Sequence, residues 1–294
     1  MLLLKGFCPI CETVTEYRAD DDWYRDHLNC SNCPGGSLPR ERALALVLNE
    51  LRPDWRNLSI HESSSADRGI SLKLSTYAPG YVGTQYFPMH PTGKFLGAYR
   101  NEDLENLTFS DDAFDVTITL DVMEHVYRPE KAFREIHRTL KPGGVYICTF
   151  PIRKEQTQAL DRRFELDIDG QRVDFKEPEF HGNPISEEGA IVTIDWGYDL
   201  HQKIAEWTPF DVRVYRFFDL KHGIIGEHTE VIVCQKASSL PENSSADLPH
   251  DFDSEMYHRL NPDVAAAGIP ADQHWLEYGR FERRPWRDRR IITY

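Results

Sequence analysis

Long apolar runs are missing from this chain of 294 residues, and basic residues are few. No stretch approaches the ~20 apolar residues that a membrane-spanning helix needs. Residues 1–7 hold only three consecutive leucines, too few for the core of a signal peptide. Lys and Arg number 34 against 48 Asp and Glu, a formal net charge of −14. Because phosphate binding needs a concentrated basic face, we expect no nucleic-acid partner. The missing apolar runs lead us to expect a soluble, cytoplasmic protein with no membrane span.

Cysteine is also scarce, but four of the six cysteines form two closely spaced pairs. Cys8 pairs with Cys11 and Cys30 with Cys33, each at C-x2-C spacing, and 18 residues separate the pairs. Each such turn directs two thiolates at one point, and two turns complete a tetrahedron around Zn²⁺. Four sulfur ligands leave no open coordination position, so the spacing predicts a structural zinc ribbon. A redox C-x-x-C is the weaker alternative, because it would not require a second pair.

The chain between Leu58 and Lys236 alternates between the apolar patterns of buried strands and amphipathic helices. This alternation predicts an α/β fold with a mostly parallel sheet and helices on both faces. The predicted elements are strands at 58–61, 81–87, 114–120, 145–150, 212–218 and 231–235, and helices at 67–77 and 129–140. The last two strands are expected to pair antiparallel at the sheet edge.

Two motifs within this region carry more information than the periodicity. Residues 109–126 lead into and out of a buried strand and end with the pair Glu124-His125, and residues 133–145 end in Leu-Lys-Pro-Gly-Gly-Val. Together they closely resemble the class I methyltransferases of the type 11 family, over roughly Leu58 to Phe150. The resemblance implies a Rossmann-like fold, S-adenosylmethionine as cofactor, and methyl transfer as the reaction.

The resemblance also implies which residues bind the cofactor. An acidic residue in the family opens a glycine-rich loop after the first strand; here Glu62 stands there and serines replace the glycines. Gln85 stands where a second acidic residue holds the ribose hydroxyls, and Asp103 where the adenine amino group is recognised. The full expected set is Glu62, Ser63, Ser64, Gln85, Asp103, Leu104, Asp121 and Val122. Structural alternatives exist: Glu62 as a helix N-terminal charge, residues 63–65 as a capping run, and Asp103 as a turn cap.

His125 and His181 are the candidates for a catalytic base, which is needed if the acceptor must lose a proton. His125 follows the strand that ends at Leu120. His181 lies in the connection 151–195, whose length and mixed charge are typical of a lid or an acceptor-binding loop. Each has a structural alternative: the Glu124-His125 pair as a cap of the next helix, and His181 as the brace of a turn.

Downstream, residues 237–249 form a polar, proline-bearing linker. Two short helices are expected after it, at 252–260 and 272–278. The residues from Tyr257 to Gly268, with 274–280 and 284–285, resemble a small module often appended to bacterial glycosyltransferases. This resemblance favours a sugar or glycan acceptor, and the alternative is a helical hairpin packed on the main domain.

The predicted domains are a zinc ribbon at 1–37, a linking helix at 38–57, a methyltransferase domain at 58–237, a linker at 238–251 and a small helical module at 252–294. The predicted function is methyl transfer from S-adenosylmethionine to an oxygen, in preference to a nitrogen, of a small molecule or glycan. The alternative is a non-catalytic relative that acts as a binding or scaffold protein in a glycan-assembly pathway. The expected cofactors are S-adenosylmethionine and structural Zn²⁺, and the sequence does not indicate an oligomeric state.

Overall fold

The computed structural model describes residues 1–167, 169, 171–183, 186–238, 248, 252–279, 284 and 291–293. These residues fall into two compact units, Met1–Ala237 with Ile291–Tyr294, and Ser238–Arg290. The predicted linker at 238–251 lies outside the described residues except at positions 238 and 248. No helix in the described part of the chain is both long and apolar enough to cross a membrane.

The first unit contains eighteen strands, five α-helices and a short 3₁₀ helix at Trp55–Asn57 among its described residues. Its strands are β1 (Leu2–Cys8), β2 (Thr13–Ala19), β3 (Asn29–Cys30), β4 (Ser59–Ser63), β5 (Gly80–Gln85), β6 (Phe95–Leu96), β7 (Tyr99–Asn101), β8 (Phe114–Leu120), β9 (Leu140–Thr149), β10 (Leu160–Arg162), β11 (Phe164–Leu166), β12 (Arg172–Asp174), β13 (Phe180–Asn183), β14 (Ser186–Ile191), β15 (Ile194–Trp196), β16 (Asp211–Arg216), β17 (Val231–Gln235) and β18 (Ile291–Thr293). Its helices are α1 (Tyr24–His27), α2 (Pro39–Leu51), α3 (Gly69–Tyr77), α4 (Pro129–Thr139) and α5 (Leu200–Trp207).

Nine of these strands form one sheet in the order β18-β16-β17-β9-β8-β4-β5-β7-β6. The five central strands from β9 to β7 run parallel to one another. Strand β17 pairs antiparallel with β9 and with β16, and β6 pairs antiparallel with β7. The predicted α/β class with a Rossmann-like, mostly parallel sheet is therefore confirmed.

Helices cover both faces of this sheet, and alternate residues of one strand show it. In β9, Val145 and Ile147 pack in a core with residues of α2 and α3, whereas Tyr146 and Cys148 pack in a second core with α4 and α5. The centre of the sheet is therefore buried on both sides, and in β8 the threonines Thr117 and Thr119, which alternate with apolar residues, are fully buried as well.

The N-terminal segment folds as a separate three-stranded sheet, β1-β2-β3, but shares its core with the main sheet. The fully buried Arg42 of α2 joins the two. Its guanidinium donates to the carbonyl oxygens of Leu28 at 2.9 Å and Gly223 at 2.7 Å, and stacks 4.4 Å from the ring centroid of Tyr17. A planar cation with five donors suits this role, because it satisfies several buried carbonyls at once.

The structure differs most from the predicted strands at β9 and at the edge of the sheet beside β16. Strand β9 begins at Leu140 and not at 145, because the register shifts against β8 and Gln235 donates to the carbonyl of Gly143 at 2.8 Å. Gly143 there has a φ of 77°, a conformation that glycine adopts without strain. The antiparallel pairing of β16 with β17 is confirmed, but β18 pairs with β16 and takes the edge position.

The described residues of the second unit form three short helices, α6 (Ser254–Leu260), α7 (Pro262–Ala266) and α8 (Ala271–His274), followed by a π-helical turn at Trp275–Gly279. Its small core is formed by Tyr257, Val264 and Ala271. The Tyr257 hydroxyl lies 2.8 Å from Nδ1 of His274. The ring of Tyr257 therefore packs in the core of this unit while its hydroxyl has a hydrogen-bond partner in the same unit. Most of the predicted motif around Arg280 and Pro285 lies outside the described residues.

Candidate active site

The order of strands reverses at β4. The chain passes from β4 through α3 to β5 on one side, whereas β8 joins β4 on the other. Open α/β sheets bind ligands beyond the carboxyl ends of the strands at such a switch point. The carboxyl ends here are Ser63 of β4 and Leu120 of β8. The topology therefore locates a ligand site between the segments that follow these two residues.

The residue that follows each of these strands has a left-handed backbone conformation. Ser64 has a φ of 61° and Asp121 a φ of 53°. Their N–H groups donate at 2.8 Å to the carbonyls of Thr84 and Thr149, on the neighbouring strands. Such a conformation costs a non-glycine residue about 1–3 kcal/mol and concentrates at functional sites. The serine at 64 thus adopts a backbone conformation that a glycine would adopt without strain.

A cavity of about 800 Å³, here called cavity A, opens beside these two residues. Small-molecule sites typically measure roughly 300–1,000 Å³. Seven of the eight predicted cofactor residues line it: Ser63, Ser64, Gln85, Asp103, Leu104, Asp121 and Val122. The seven come from four separate segments of the chain, so the fold brings together residues that the family resemblance had selected one by one.

Glu62 is the predicted cofactor residue that does not line cavity A. Its buried carboxylate accepts hydrogen bonds from the Ser71 hydroxyl at 2.5 Å and the Tyr81 hydroxyl at 2.6 Å. Burial raises the pKa of Glu62 to about 7, although the two hydrogen bonds oppose that change. Ser71 lies in the first turn of α3, so Glu62 joins β4 to the beginning of that helix.

Gln85 and Asp103 each present part of their polar side chain to cavity A. Gln85 Nε2 donates to the carbonyl of Ser65 at 2.8 Å, and its Oε1 accepts no hydrogen bond from a described residue. Asp103 Oδ1 accepts from the N–H of Glu105 at 2.8 Å, as the alternative of a turn cap predicts. Burial raises the pKa of Asp103, and the remaining carboxylate oxygen is free to accept from a ligand.

A second cavity of about 720 Å³, here called cavity B, lies next to the first. The two share Ser64, Asp121, His125 and Gly182 in their linings. Part of the lining of cavity B comes from the connection 151–195, whose described residues form two small antiparallel hairpins, β11-β12 and β13-β14, and the strand β10, which pairs antiparallel with β15. That connection was predicted to form a lid or an acceptor-binding loop, and it covers both cavities.

The two histidines predicted as bases lie side by side, with ring centroids 5.3 Å apart and planes at 87°. His125 lines both cavities and His181 lines cavity B. Helix α4 begins at Pro129 after Arg128 without a side-chain cap, so the helix-capping alternative for His125 is not what the structure shows. His181 lies on strand β13. The buried carboxylate of Glu124 lies next to both rings, with Oε1 3.7 Å from His125 Nε2 and 3.5 Å from His181 Nδ1.

Asp121 is bound by two arginines that no sequence motif selects. Arg25 Nη2 donates to its carboxylate at 2.7 Å, and Arg40 Nε lies 2.7 Å from the same oxygen. Burial alone would raise the pKa of Asp121, but the two positive charges outweigh it and lower the pKa. Arg25 is in α1 and Arg40 in α2, so the N-terminal segment reaches the carboxyl end of β8.

The four N-terminal cysteines also meet at one point. Cys8 Sγ lies 3.6 Å from Cys33 Sγ, and Cys11 Sγ lies 3.9 Å from Cys30 Sγ. All four sulfurs lie within 4.8 Å of one another. Sulfurs that surround one zinc ion tetrahedrally at about 2.3 Å are about 3.8 Å apart. The cluster is therefore compatible with a zinc ribbon in which four cysteines bind the ion.

Comparison with known proteins gives matches to this central region. Residues 87–148 match the protein family described as "Methyltransferase domain". The chain is 37% identical over 62 residues to the ubiquinone biosynthesis O-methyltransferase of Ruegeria pomeroyi, which covers 21% of this chain and 25% of that protein. It is 35% identical over 78 residues to an uncharacterized methyltransferase of Mycobacterium leprae, covering 24% and 29% respectively. The chain thus spans about a quarter of the length of these curated relatives.

Among solved structures, an S-adenosylmethionine-dependent methyltransferase from Mesorhizobium loti aligns with a TM-score of 0.44 at 15% identity. That alignment covers 66% of this chain and 98% of the other.

Proposed function

We propose that this protein is an S-adenosylmethionine-dependent methyltransferase that methylates an oxygen of a small-molecule or glycan acceptor. The observation that carries the proposal is the lining of cavity A, where seven of eight predicted cofactor residues meet. The cavity also lies at the switch point of the sheet, beyond the carboxyl ends of β4 and β8. The family match at 87–148 covers the segment that contributes Asp103, Leu104, Asp121 and Val122.

The polar groups of cavity A suit the parts of the cofactor. Asp103 offers a carboxylate oxygen for the adenine amino group, and the free Oε1 of Gln85 offers an acceptor for a ribose hydroxyl. The left-handed backbone at Ser64 supports a close approach of the loop to the methionine part. In this assignment Glu62 acts indirectly, by fixing the loop through Ser71 and Tyr81.

The acceptor would lie in cavity B, under the hairpins of the connection 151–195. When bound, the cofactor supplies a methyl group made electrophilic by its sulfonium. Methyl transfer is an in-line displacement, so the chain contributes mainly by positioning the two reactants. His125 and His181 lie beside the boundary of the two cavities, where they remove the proton of an acceptor hydroxyl.

Two observations support an oxygen as the methyl acceptor. Paired imidazoles can promote loss of a proton, which a hydroxyl must lose to become a good nucleophile. One of the relatives is named an O-methyltransferase, although it matches only 21% of this chain. A glycan acceptor is supported by the resemblance of the C-terminal segment to modules of glycosyltransferases.

We also propose that Cys8, Cys11, Cys30 and Cys33 hold a structural Zn²⁺. The closed set of four sulfurs leaves no position for a substrate. The ion would fix the segment that carries Arg25, and through it the partner of Asp121. A segment of this size has too small a core to fold unaided.

Calorimetric titration with S-adenosylmethionine and S-adenosylhomocysteine tests the proposal. We expect the full chain to bind both, and Asp103→Ala to weaken binding by about 10- to 100-fold, the effect of one lost charge-assisted hydrogen bond. The matched control is Asp54→Ala, an exposed carboxylate outside both cavities, which should leave affinity unchanged.

Three outcomes of this titration would change the assignment. No heat and no thermal shift with either ligand would overturn cofactor binding. Equal affinities for the wild type and Asp103→Ala would show that the adenine lies elsewhere. Binding without methylation of any hydroxyl compound in an acceptor screen would favour the alternative of a non-catalytic binding protein.

A further inference from the structure

A carboxylate and two imidazoles converge at the boundary of cavities A and B. Glu124, His125 and His181 each offer one donor atom, and the three atoms lie within 4.8 Å of one another. Glu124 Oε1 lies 3.5 Å from His181 Nδ1 and 3.7 Å from His125 Nε2. Two atoms that both lie about 2.0–2.2 Å from one ion are at most about 4.2 Å apart. Both glutamate–histidine distances are within that limit.

The Glu124 carboxylate lacks the hydrogen bonds that a buried charge needs. The residue is 2% exposed, and neither of its carboxylate oxygens accepts a hydrogen bond from any residue in the described part of the chain. An isolated ionised carboxylate is costly to bury, and natural structures pair such groups or bind them to metal ions. The polar groups next to Glu124 Oε1 are the ring nitrogens of His125 and His181, which lie too far away for a good hydrogen bond, and a cation held by all three groups would supply the missing partner.

The outer nitrogen of each imidazole is already bound, which fixes the nitrogen that faces Glu124. His125 Nδ1 lies 2.8 Å from the carbonyl oxygen of Ile191, which can only accept, so Nδ1 carries the proton and Nε2 keeps its lone pair. His181 Nε2 lies 3.3 Å from a carboxylate oxygen of Glu179, so in the neutral ring the proton is on Nε2 and the lone pair on Nδ1 faces Glu124. Metal-binding histidines almost always donate their other N–H to a carbonyl or a carboxylate in this way.

We propose that Glu124, His125 and His181 bind a divalent first-row transition-metal ion, at a site separate from the four cysteines. Two imidazoles and one carboxylate suit zinc, iron or cobalt better than magnesium, which prefers an all-oxygen octahedron. Three protein ligands leave at least one coordination position open. His125 and His181 line cavity B, so that position faces the space assigned to the acceptor.

This site deepens the proposed function and rests on it for the identity of the acceptor. It replaces direct proton removal by His125 and His181 with deprotonation of a hydroxyl bound to the ion that the two rings hold. A hydroxyl oxygen bound at the open position has a lowered pKa and loses its proton to solvent near neutral pH. The resulting oxygen lone pair forms the new bond to the methyl carbon, while the carbon–sulfur bond breaks and its electron pair stays on sulfur. The ion changes neither charge nor oxidation state. The acceptor class is therefore an alcohol or phenol.

The competing explanation is an ion pair without metal, in which a protonated His181 lies between Glu124 and Glu179. Both explanations account for the proximity of these groups, but only the metal site predicts uptake of a second ion. Zinc alone, at saturation and after removal of unbound metal, is the probe. We expect two zinc ions per full-length wild-type chain by mass spectrometry, and one per chain in Glu124→Gln and in His181→Asn.

The matched control is His90→Asn, which removes an exposed histidine outside both cavities and should retain two ions. Thermal unfolding provides a second readout that does not depend on the number of zinc ions counted per chain. Glu124→Gln removes an unpaired buried charge, so its metal-free form should unfold at or above the wild-type temperature. Added zinc should then raise the unfolding temperature of the wild type more than that of the variant.

One zinc per wild-type chain, or equal zinc contents in the wild type and Glu124→Gln, would overturn this site and favour the ion pair. The cofactor titration separates this failure from failure of the proposed function. If the chain binds S-adenosylmethionine but only one zinc ion, the proposed function stands and the second metal site is overturned. A chain that binds two zinc ions but no S-adenosylmethionine keeps the metal site and loses the methyltransferase assignment.

Discussion

The guanidinium of Arg25 donates a 2.7 Å hydrogen bond to the carboxylate of Asp121, 96 positions further along the chain. Arg25 belongs to α1, between the two cysteine pairs, and Asp121 follows β8 at the shared wall of the two cavities. The side chains are 7% and 18% exposed, so water screens their charges only weakly. The bond connects the cysteine-bearing segment directly to the proposed transfer site.

Replacing Arg25 should therefore lower both the free energy of unfolding and the affinity for S-adenosylmethionine. We expect Arg25→Met to lower the free energy of unfolding by about 2 kcal/mol, less than a fully orphaned buried charge because Arg40 still partners Asp121. Urea denaturation measures this change. The matched control is Arg18→Met, whose side chain is 65% exposed and pairs with Glu16, and which should change stability by less than about 0.5 kcal/mol.

A double variant isolates the interaction between the two residues. If the bond matters, Arg25→Met with Asp121→Asn should be less destabilising than the sum of the single changes, by about 1 kcal/mol. Strict additivity of the two changes would contradict the coupling.

Loss of the metal from the cysteine cluster should weaken cofactor binding at a distance. Cys11→Ser removes the half-buried ligand of the four, and we expect one zinc fewer per chain and a lower unfolding temperature. Because α1 follows the first cysteine pair, Arg25 should lose its fixed position and the affinity for S-adenosylmethionine should fall. Calorimetry on the wild type and the variant at the same zinc concentration measures this.

The control for that experiment is Glu124→Gln, which also lowers zinc content in our proposal but leaves the cysteines intact. The two variants should differ in stability, since only the cysteine change loosens the N-terminal segment. Unchanged stability in Cys11→Ser would mean that the cluster folds without metal.

Sequence patterns were enough to predict the features that depend on local spacing. The cysteine cluster was predictable because each C-x2-C turn already holds two thiolates together, so one contact between the two turns brings all four sulfurs to one point. The segments 114–120 and 145–149 combine apolar and β-branched residues, so both were predictable as buried strands. Asp103 and Asp121, which the family resemblance selects as cofactor residues, both line cavity A, because the positions that follow parallel strands share one edge of the sheet. Their binding of the cofactor stays a prediction.

Features that arise from packing between distant segments were not predictable. Nothing near Arg25 or Arg40 in the sequence indicates Asp121 as a partner, since that contact depends on how the N-terminal sheet packs. The unpaired state of Glu124 depends on burial, which no spacing rule encodes. The hairpins of 151–195 have short strands with exposed residues such as Leu166 and Val173, so periodicity gives no signal there.

The left-handed backbone at Ser64 gives a prediction about the serine-containing loop. Glycine adopts a φ of 61° without strain, so Ser64→Gly should raise the free energy of unfolding by about 1 kcal/mol. Ser64→Val should lower it by a similar amount, because a β-branched residue is the least suited to this conformation. Urea denaturation of the two variants measures both changes.

The adjacent Ser65 provides the control, because its φ is not positive. Ser65→Gly should lower the free energy of unfolding by roughly 0.5–1 kcal/mol through the greater freedom of the unfolded chain. If both glycine variants lose stability equally, the strain at position 64 is not real. S-adenosylmethionine should bind Ser64→Gly at least as tightly as the wild type, since glycine preserves the backbone of the loop.

The raised pKa of Glu62 predicts how stability changes with pH. Burial raises this pKa from an ordinary value of 4.5 to about 7, so between these values the folded chain binds a proton that the unfolded chain has released. A group with a raised pKa contributes stability that is fully present below pH 4.5 and lost as the pH rises through 7. The contribution of Glu62 should therefore fall by about 2 kcal/mol between pH 5 and pH 8.

Glu62→Gln removes this ionisation but keeps the shape of the side chain. Its lost hydrogen bond to Ser71 or Tyr81 should lower stability at pH 5, where Glu62 is still protonated in the folded wild type. At pH 8 the wild type must bury a charge and the variant does not, so the difference should shrink or reverse. Denaturation curves at both pH values measure the change, with the exposed Glu155→Gln as control. Parallel pH dependences of the wild type and Glu62→Gln would mean that Glu62 is already ionised at pH 5 in the folded chain, against the effect of its burial.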